Sequence, residues 1–230
     1  MLLNSETAPV VLFMGAPGSG KGTQSGWLAA SLGIPVVATG ELLRAEASRN
    51  TSEGFRIRQL QAEGALVDDK TVCGVVESRL RRNTPRRGVI LDGFPRTVRQ
   101  AEFLDQLLDD LGLPRPLLLH LDVSTTGILR RLAGRRQCAV CGSVYNLRSK
   151  PSLKGSRCQK DGGALVQRDD DTEGVILHRM AEFESSTAPI LAYYGPSAVL
   201  RIDADRDAAV VAADILHAVA PGTAYHLAVA

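Results

Sequence analysis

The stretch "PVVLFMGAPGSGKGTQ", Pro9 to Gln24, limits what this chain can fold into more than any other. An apolar run feeds straight into a glycine-rich turn, which ends in Lys21 and opens onto the helical pattern "GTQSGWLAASLG". Glycines let backbone N–H groups converge on phosphate oxygens, a helix start adds partial positive charge, and a lysine reaches the outer phosphates. Strand, Gly15, four residues, Gly20, Lys21, helix is the setting a phosphate-binding loop requires. The general pattern has Ser or Thr straight after the lysine; here Gly22 intervenes before Thr23, so Thr23 is not assigned as a direct metal ligand. The competing reading is an ordinary glycine-rich strand-to-helix turn.

Further short apolar runs, "IPVVATG", "GVILDGFP", "PLLLHLD" and "AVLRIDA", read as buried strands separated by longer amphipathic segments. Such alternation predicts a parallel sheet with helices on both faces. Two intervals break the rhythm. From about Gly40 to Val67 the pattern is short polar helices without a strand, and from about Gly134 to Arg168 it is Gly/Ser/Lys/Cys-rich with β-like pieces such as "SVYNL". Both read as insertions on one core, for which 230 residues at 44% hydrophobic provide enough material. The C-terminal "PGTAYHLAVA" follows a helix-breaking Pro221-Gly222 pair and reads as a tail.

A net charge of +2 argues against a chain that lives on nucleic acid or a membrane surface. The first residues lack a basic leader, and their apolar run falls short of the ~20 residues a span needs, so a cytoplasmic protein is expected. Arginines outnumber lysines by 22 to 5, which fits either codon bias or a site needing planar, bidentate phosphate contacts.

Of the four cysteines, three cluster as Cys138-x2-Cys141 and, sixteen residues on, Cys158-x2-Asp161. Paired knuckles at this separation match a structural zinc ribbon with aspartate as an allowed fourth ligand; the alternative is reduced thiols without metal. Cys73, in "TVCGVVESRL", reads as a buried helix residue.

Taken together, "GAPGSGKGTQ", "ATGELLR", "LDGFPRT" and "RLAGRR", in this order and spacing, resemble adenylate kinase of the long-lid bacterial type, from about Pro9 to Val219. The cysteine pattern resembles the zinc-bearing lids of some of its members. The resemblance implies a P-loop nucleoside monophosphate kinase fold: a parallel five-stranded sheet, helices on both faces, and two inserted small subdomains. The core would take residues 1–37, 68–133 and 172–230, an AMP-binding insertion 38–67, and a lid with the zinc ribbon 134–171. It also implies reversible transfer of the γ-phosphoryl of MgATP to AMP, giving two ADP, in a monomer with lid closure.

Carried over residue by residue, the resemblance assigns ATP to Gly18, Ser19, Gly20, Lys21, Gly22 and Thr23, with Arg131, Arg135, Val144, Tyr145 and Arg206. AMP falls to Thr39, Arg44, Ala65, Leu66, Val67, Gly93, Phe94, Pro95, Arg96, Gln100, Arg168 and Arg179. The catalytic set is Lys21, Asp92, Arg96, Arg131, Arg168 and Arg179, Asp92 organising hydrated Mg2+; its plainer reading is a helix cap. The metal ligands are Cys138, Cys141, Cys158 and Asp161. Arg131 and Arg135, at i and i+4, are expected on one helical face. This chain departs from the family at Ala38, usually serine, and at Gly174, usually a second glutamate. No general base is needed, because a phosphate monoester is mostly dianionic at neutral pH. A UMP or CMP kinase, or a zinc-ribbon nucleic-acid-binding module, are the readings set against this one.

Overall fold

In the computed structural model, residues 8–82 and 87–220 are described; the proposed tail lies outside them. Five strands form one parallel sheet in the order β2-β3-β1-β4-β8. They are β1 (Val10–Met14), β2 (Val36–Ala38), β3 (Val89–Asp92), β4 (Leu117–Asp122) and β8 (Val199–Asp203). All five apolar runs read from the sequence are therefore strands. Central β1 is buried along its whole length, which is why it reads as an unbroken apolar run and not as an alternation.

Successive side chains on β1 point to opposite faces, and each face has its own core. Val10, Leu12 and Met14 join Leu91 and Leu118 against α4 (Asp69–Arg82) and α5 (Val98–Asp110), while Val11 and Phe13 join Leu119 and Leu121 against α1 (Lys21–Leu32) and α9 (Ala208–Val219). Between β2 and α4 lie α2 (Thr39–Ala47) and α3 (Ser52–Glu63), the polar helices expected there. Thr51 caps α3 through Gly54 N at 3.0 Å, and Thr97 caps α5 through Gln100 N at 3.1 Å.

After α6 (Thr125–Ala133) the chain enters a separate antiparallel sheet of order β6-β5-β7: β5 (Arg135–Cys138), β6 (Val144–Asn146) and β7 (Leu165–Val166). It returns through a 3-10 turn at Asp169–Asp171 into α7 (Glu173–Glu182), a π turn at Phe183–Thr187 and α8 (Pro189–Tyr194). Here one expectation is corrected. Arg131 and Arg135 do not share a helical face, because α6 ends at Ala133 and Arg135 is the first residue of β5. Gly134 is a poor helix residue, and its carbonyl accepts from Leu147 N at 2.9 Å while Arg135 pairs with Asn146, so strand pairing wins over another helical turn.

Register fixes the functional edge. Phe13 and Ala38 both lie opposite Asp92 on β3, so the glycine loop after β1, the start of α2 and the turn after β3 all leave the sheet at its carboxyl end. Ligands of open α/β sheets gather at that end, where the chain reverses direction across the sheet. Among the described residues, no helix is long and apolar enough to cross a membrane.

Candidate active site

The glycine loop wraps the first turn of α1. Gly18 has φ +81°, and a Cβ there would stand 2.8 Å from Leu132 Cγ on α6; Gly20, at φ +104°, begins the helix in a left-handed conformation that favours glycine. Lys21 Nζ donates to the carbonyls of Gly15 at 2.7 Å and Ala16 at 3.0 Å, which holds the ammonium over its own loop. A Cβ on Gly22 would sit 3.4 Å from Asp92 Oδ2, which places that carboxylate beside the loop and not at a helix cap. Thr23 is exposed on the same wall.

One continuous cleft runs from the loop across the sheet edge, walled by residues 18–23, by Thr39, Arg44 and Ala65–Val67, by Gly93, Arg96 and Gln100, and by the small sheet with Val144. Arg131 spans its floor, donating from Nη1 to Ser19 O at 3.0 Å and from Nη2 to Ala204 O, so the loop is tied to the segment after β8. Arg206 also lines the cleft but is engaged with Asp203 and, at 2.6 Å, Asp214. Tyr145 lines the cleft as well, with its hydroxyl bonded to Cys158 Sγ at 3.3 Å and accepting from Gln159 N at 2.9 Å. Phe94 is 1% exposed and belongs to the core, whereas Pro95 lines a small side pocket with Lys21, Arg96 and Arg179.

Arg96 is fixed in the turn after β3. Its N–H donates to Gln100 Oε1 at 2.8 Å, its Nε to Gly93 O at 3.0 Å, and its carbonyl accepts from Thr187 Oγ1 at 3.0 Å. Opposite, Arg168 meets Asp170 through Nε at 2.8 Å and Nη2 at 2.6 Å, and Arg179 reaches the same carboxylate at 2.9 Å. Arg135 forks onto buried Asp171. Sequence reasoning missed both aspartates as parts of the site; the run "DDD" directly after Arg168 was the available signal.

The electrostatics favour an anion. Burial pushes Lys21 down to about 8 and Arg179 down to about 10, and it lowers Arg44, Arg96 and Arg131 as well. The neighbouring cations add to the depression of Lys21, Arg44, Arg96 and Arg179. Burial raises Asp92, against the pull of Lys21 and Arg96. Burial also pushes Asp170 up, but Arg179 and Arg168 outweigh it and hold that carboxyl below its ordinary value. A cleft whose cations are desolvated and crowded gains from a polyanion that relieves both costs.

On the acceptor side, Thr39 is 1% exposed and its hydroxyl has no partner, while Gln100, 1% exposed, keeps one amide hydrogen and one carbonyl lone pair beyond its bonds to Asp69 and Arg96. In the small sheet, Cys138, Cys141, Cys158 and Asp161 offer ligand atoms within 4.8 Å of one another. The sulfurs of Cys141 and Cys158 are 3.6 Å apart, and Cys138 Sγ is 3.3 Å from Asp161 Oδ1. Zinc–sulfur bonds of ~2.3 Å in a tetrahedron put ligand atoms ~3.7 Å apart, so this donor set fits zinc and is too open for a disulfide. Cys73 is a separate, buried thiol on α4, pushed up to about 11 chiefly by burial.

A parallel sheet with a phosphate loop at its carboxyl edge, two insertions and a cation-lined cleft between them defines a P-loop nucleoside monophosphate kinase. The adenylate kinase family model matches residues 13–199. An adenylate kinase of Thermodesulfovibrio yellowstonii is 44% identical over 191 residues, 83% of this chain and 89% of that protein. One of Geobacter sp. is 42% identical over 210 residues, 91% of this chain and 98% of the relative. One of Citrifermentans bemidjiense is 44% identical over 191 residues, 83% of this chain and 89% of the relative. The chain belongs to the adenylate kinase family.

Proposed function

We propose that this protein transfers the γ-phosphoryl group of MgATP to AMP, reversibly, giving two ADP. The observation that carries the reading is one cleft lined together by a phosphate loop, by the buried polar residues Thr39 and Gln100, and by Arg96, Arg168 and Arg179. A donor phosphate chain on the loop and an acceptor phosphate near Arg96 would meet over those arginines. Gly18, Ser19, Gly20, Lys21, Gly22 and Thr23, with Arg131, Arg135, Val144 and Arg206, form the donor side in this reading. Thr39, Arg44, Ala65, Leu66, Val67, Gly93, Pro95, Arg96 and Gln100 form the acceptor side, with Arg168 and Arg179 shared. Tyr145 belongs to the donor side with Val144, and Phe94 supports the acceptor wall from the core.

The chemistry is positioning and charge neutralisation. AMP is already a competent nucleophile, so the protein's task is to align it with the γ-phosphorus and to offset charge on the transferring oxygens. Lys21, Arg96 and the shared pair Arg168 and Arg179 supply that offset. Magnesium, brought with ATP, would share it, with Asp92 placed to orient the ion's hydration shell. Closing the small sheet over the cleft would exclude water as a competing acceptor. In the same reading the core comprises 1–37, 68–133 and 172–230, the AMP insertion 38–67 and the lid 134–171. Zinc held by Cys138, Cys141, Cys158 and Asp161 would be structural, stapling a lid with a very small core of its own. The protein would work as a cytoplasmic monomer.

The test is a chromatographic product count with ATP and Mg2+, alone and with AMP, UMP or CMP. Two ADP per ATP consumed, with AMP only, is the expected result; transfer to UMP or CMP instead would overturn the acceptor assignment. Lys21→Met should lower kcat by about 10²- to 10³-fold while the protein stays folded.

A further inference from the structure

The amide of Gln100 has a fixed orientation, and one of the two groups that fix it lies 31 positions away. Gln100 Oε1 accepts from the backbone N–H of Arg96 at 2.8 Å, and Nε2 donates to Asp69 Oδ1 at 2.7 Å. Amide oxygen and nitrogen are commonly interchangeable by a flip, but here a backbone N–H can only donate and a carboxylate can only accept. Asp69 Oδ1 also accepts from Thr97 Oγ1 at 3.1 Å, and Thr97 Oγ1 in turn accepts from Gln100 N at 3.1 Å. The four groups close a ring at the start of α5, and Asp69, in the first turn of α4, is its one member from outside the 96–100 segment.

We propose that Asp69 is a positioning residue for acceptor-base recognition: by locking the Gln100 amide, it dictates which hydrogen-bonding edge the acceptor base must present. This rests on the reading that Gln100 meets that base. With the amide locked, the cleft offers one N–H and one carbonyl lone pair in a set order. Adenine, an acceptor at N1 beside an amino donor, satisfies one order. Hypoxanthine, a donor at N1 beside a carbonyl acceptor, presents the reverse, and held in the same pose it sets donor against donor and acceptor against acceptor. Without Asp69, only the Arg96 N–H opposes a flip of the Gln100 amide, which could then turn toward either base at lower cost. Locked, it rejects hypoxanthine, because leaving buried polar groups mispaired is costly.

The experiment compares kcat/KM for AMP and for IMP, with ATP as donor, in the wild type, Asp69→Ala, Asp69→Asn and Gln100→Ala. Asp69→Ala is expected to raise the KM for AMP and to shrink the AMP-to-IMP ratio by about tenfold, the scale of one lost hydrogen bond to a charged group, with the KM for ATP unmoved. Asp69→Asn keeps an oxygen acceptor for Gln100 and should restore most of the ratio. A folded Asp69→Ala enzyme with the wild-type ratio would overturn the proposal, leaving Asp69 as a helix-start residue. Should alanine prevent folding, Asp69→Ser keeps a polar helix start with its hydroxyl short of Gln100, and is read the same way. Gln100→Ala separates the two levels. If it also keeps the wild-type ratio, the underlying reading of Gln100 falls with the proposal; if it loses the ratio while Asp69→Ala keeps it, the proposal alone falls.

Discussion

Arg135 and Asp171 form a two-pronged ion pair, Nε at 2.6 Å from one carboxylate oxygen and Nη2 bonded to the other, with the Asp171 side chain wholly buried. Arg179 stands 3.6 Å from the same carboxylate. Removing the carboxylate leaves these cations crowded and partly desolvated. Asp171→Ala is expected to cost about 3 kcal/mol, roughly 6–12 °C in Tm for a chain of this size. Calorimetry that finds the Tm unchanged would contradict this account of the pair. Added ATP should recover more of the lost stability in the variant than it adds to the wild type, because its phosphates replace the missing negative charge.

A second expectation concerns pH. Burial pushes the Lys21 ammonium down to about 8, so in the free enzyme it begins to lose its charge at mildly alkaline pH. The kcat/KM for MgATP should therefore fall as pH rises through about 8, since that quantity reports the free enzyme. Stability moves the other way. Between about 8 and 10.5 the unfolded chain binds the proton more tightly than the folded one, so this group's contribution to unfolding free energy rises with pH across that window; below it, the desolvated charge is a constant cost. In Lys21→Arg, whose guanidinium does not titrate there, the alkaline fall in residual kcat/KM should vanish. Its persistence would point to another group.

Thr39 provides a case where activity and stability separate. Its hydroxyl is buried and unpartnered, so replacing it by the near-isosteric valine removes a desolvated polar group. Thr39→Val should melt at or above the wild-type temperature while the KM for AMP rises by about tenfold, the scale of one hydrogen bond. A lower Tm with an unchanged KM would mean that the hydroxyl serves the fold and not the acceptor.

The metal-type cluster gives a fourth. Cys138→Ser should bring the zinc content of the purified protein, read by elemental analysis, below one ion per chain and lower Tm by several degrees, with turnover at low temperature near wild type. Wild-type protein without bound metal would sink the zinc assignment. Immediate loss of turnover in a folded, zinc-loaded variant would sink the structural role.

The main sheet was legible because every one of its strands is an apolar run bounded by turn residues, and Val10–Met14, buried on both faces, is the extreme of that pattern. The phosphate loop was legible because its geometry depends on local spacing alone. What escaped depends on contacts between distant segments. The break of helix α6 before Arg135 is hinted at by Gly134, but the strand that follows is decided by pairing with Asn146, eleven residues on, which "RLAGRR" does not announce. Asp69 reads as an ordinary acidic residue in a first helical turn until the fold brings it to Gln100. Asp170 and Asp171 went unassigned, although together they hold Arg135, Arg168 and Arg179.

The position of the Arg135–Asp171 pair has one more consequence. The chain enters the small sheet at Arg135 and leaves it shortly before Asp171, so a single ion pair staples the two crossings together. Most of the chain between Gln137 and Val166 hangs beyond that staple, but Asn146 returns to pair with Arg135 and to bond Arg131 O at 2.9 Å, and Val144 lines the cleft. The outer turns of the insertion are thus a cassette: evolution or a protein engineer can lengthen, shorten or exchange the knuckle they carry, provided that the seam and the Val144–Asn146 strand are left whole.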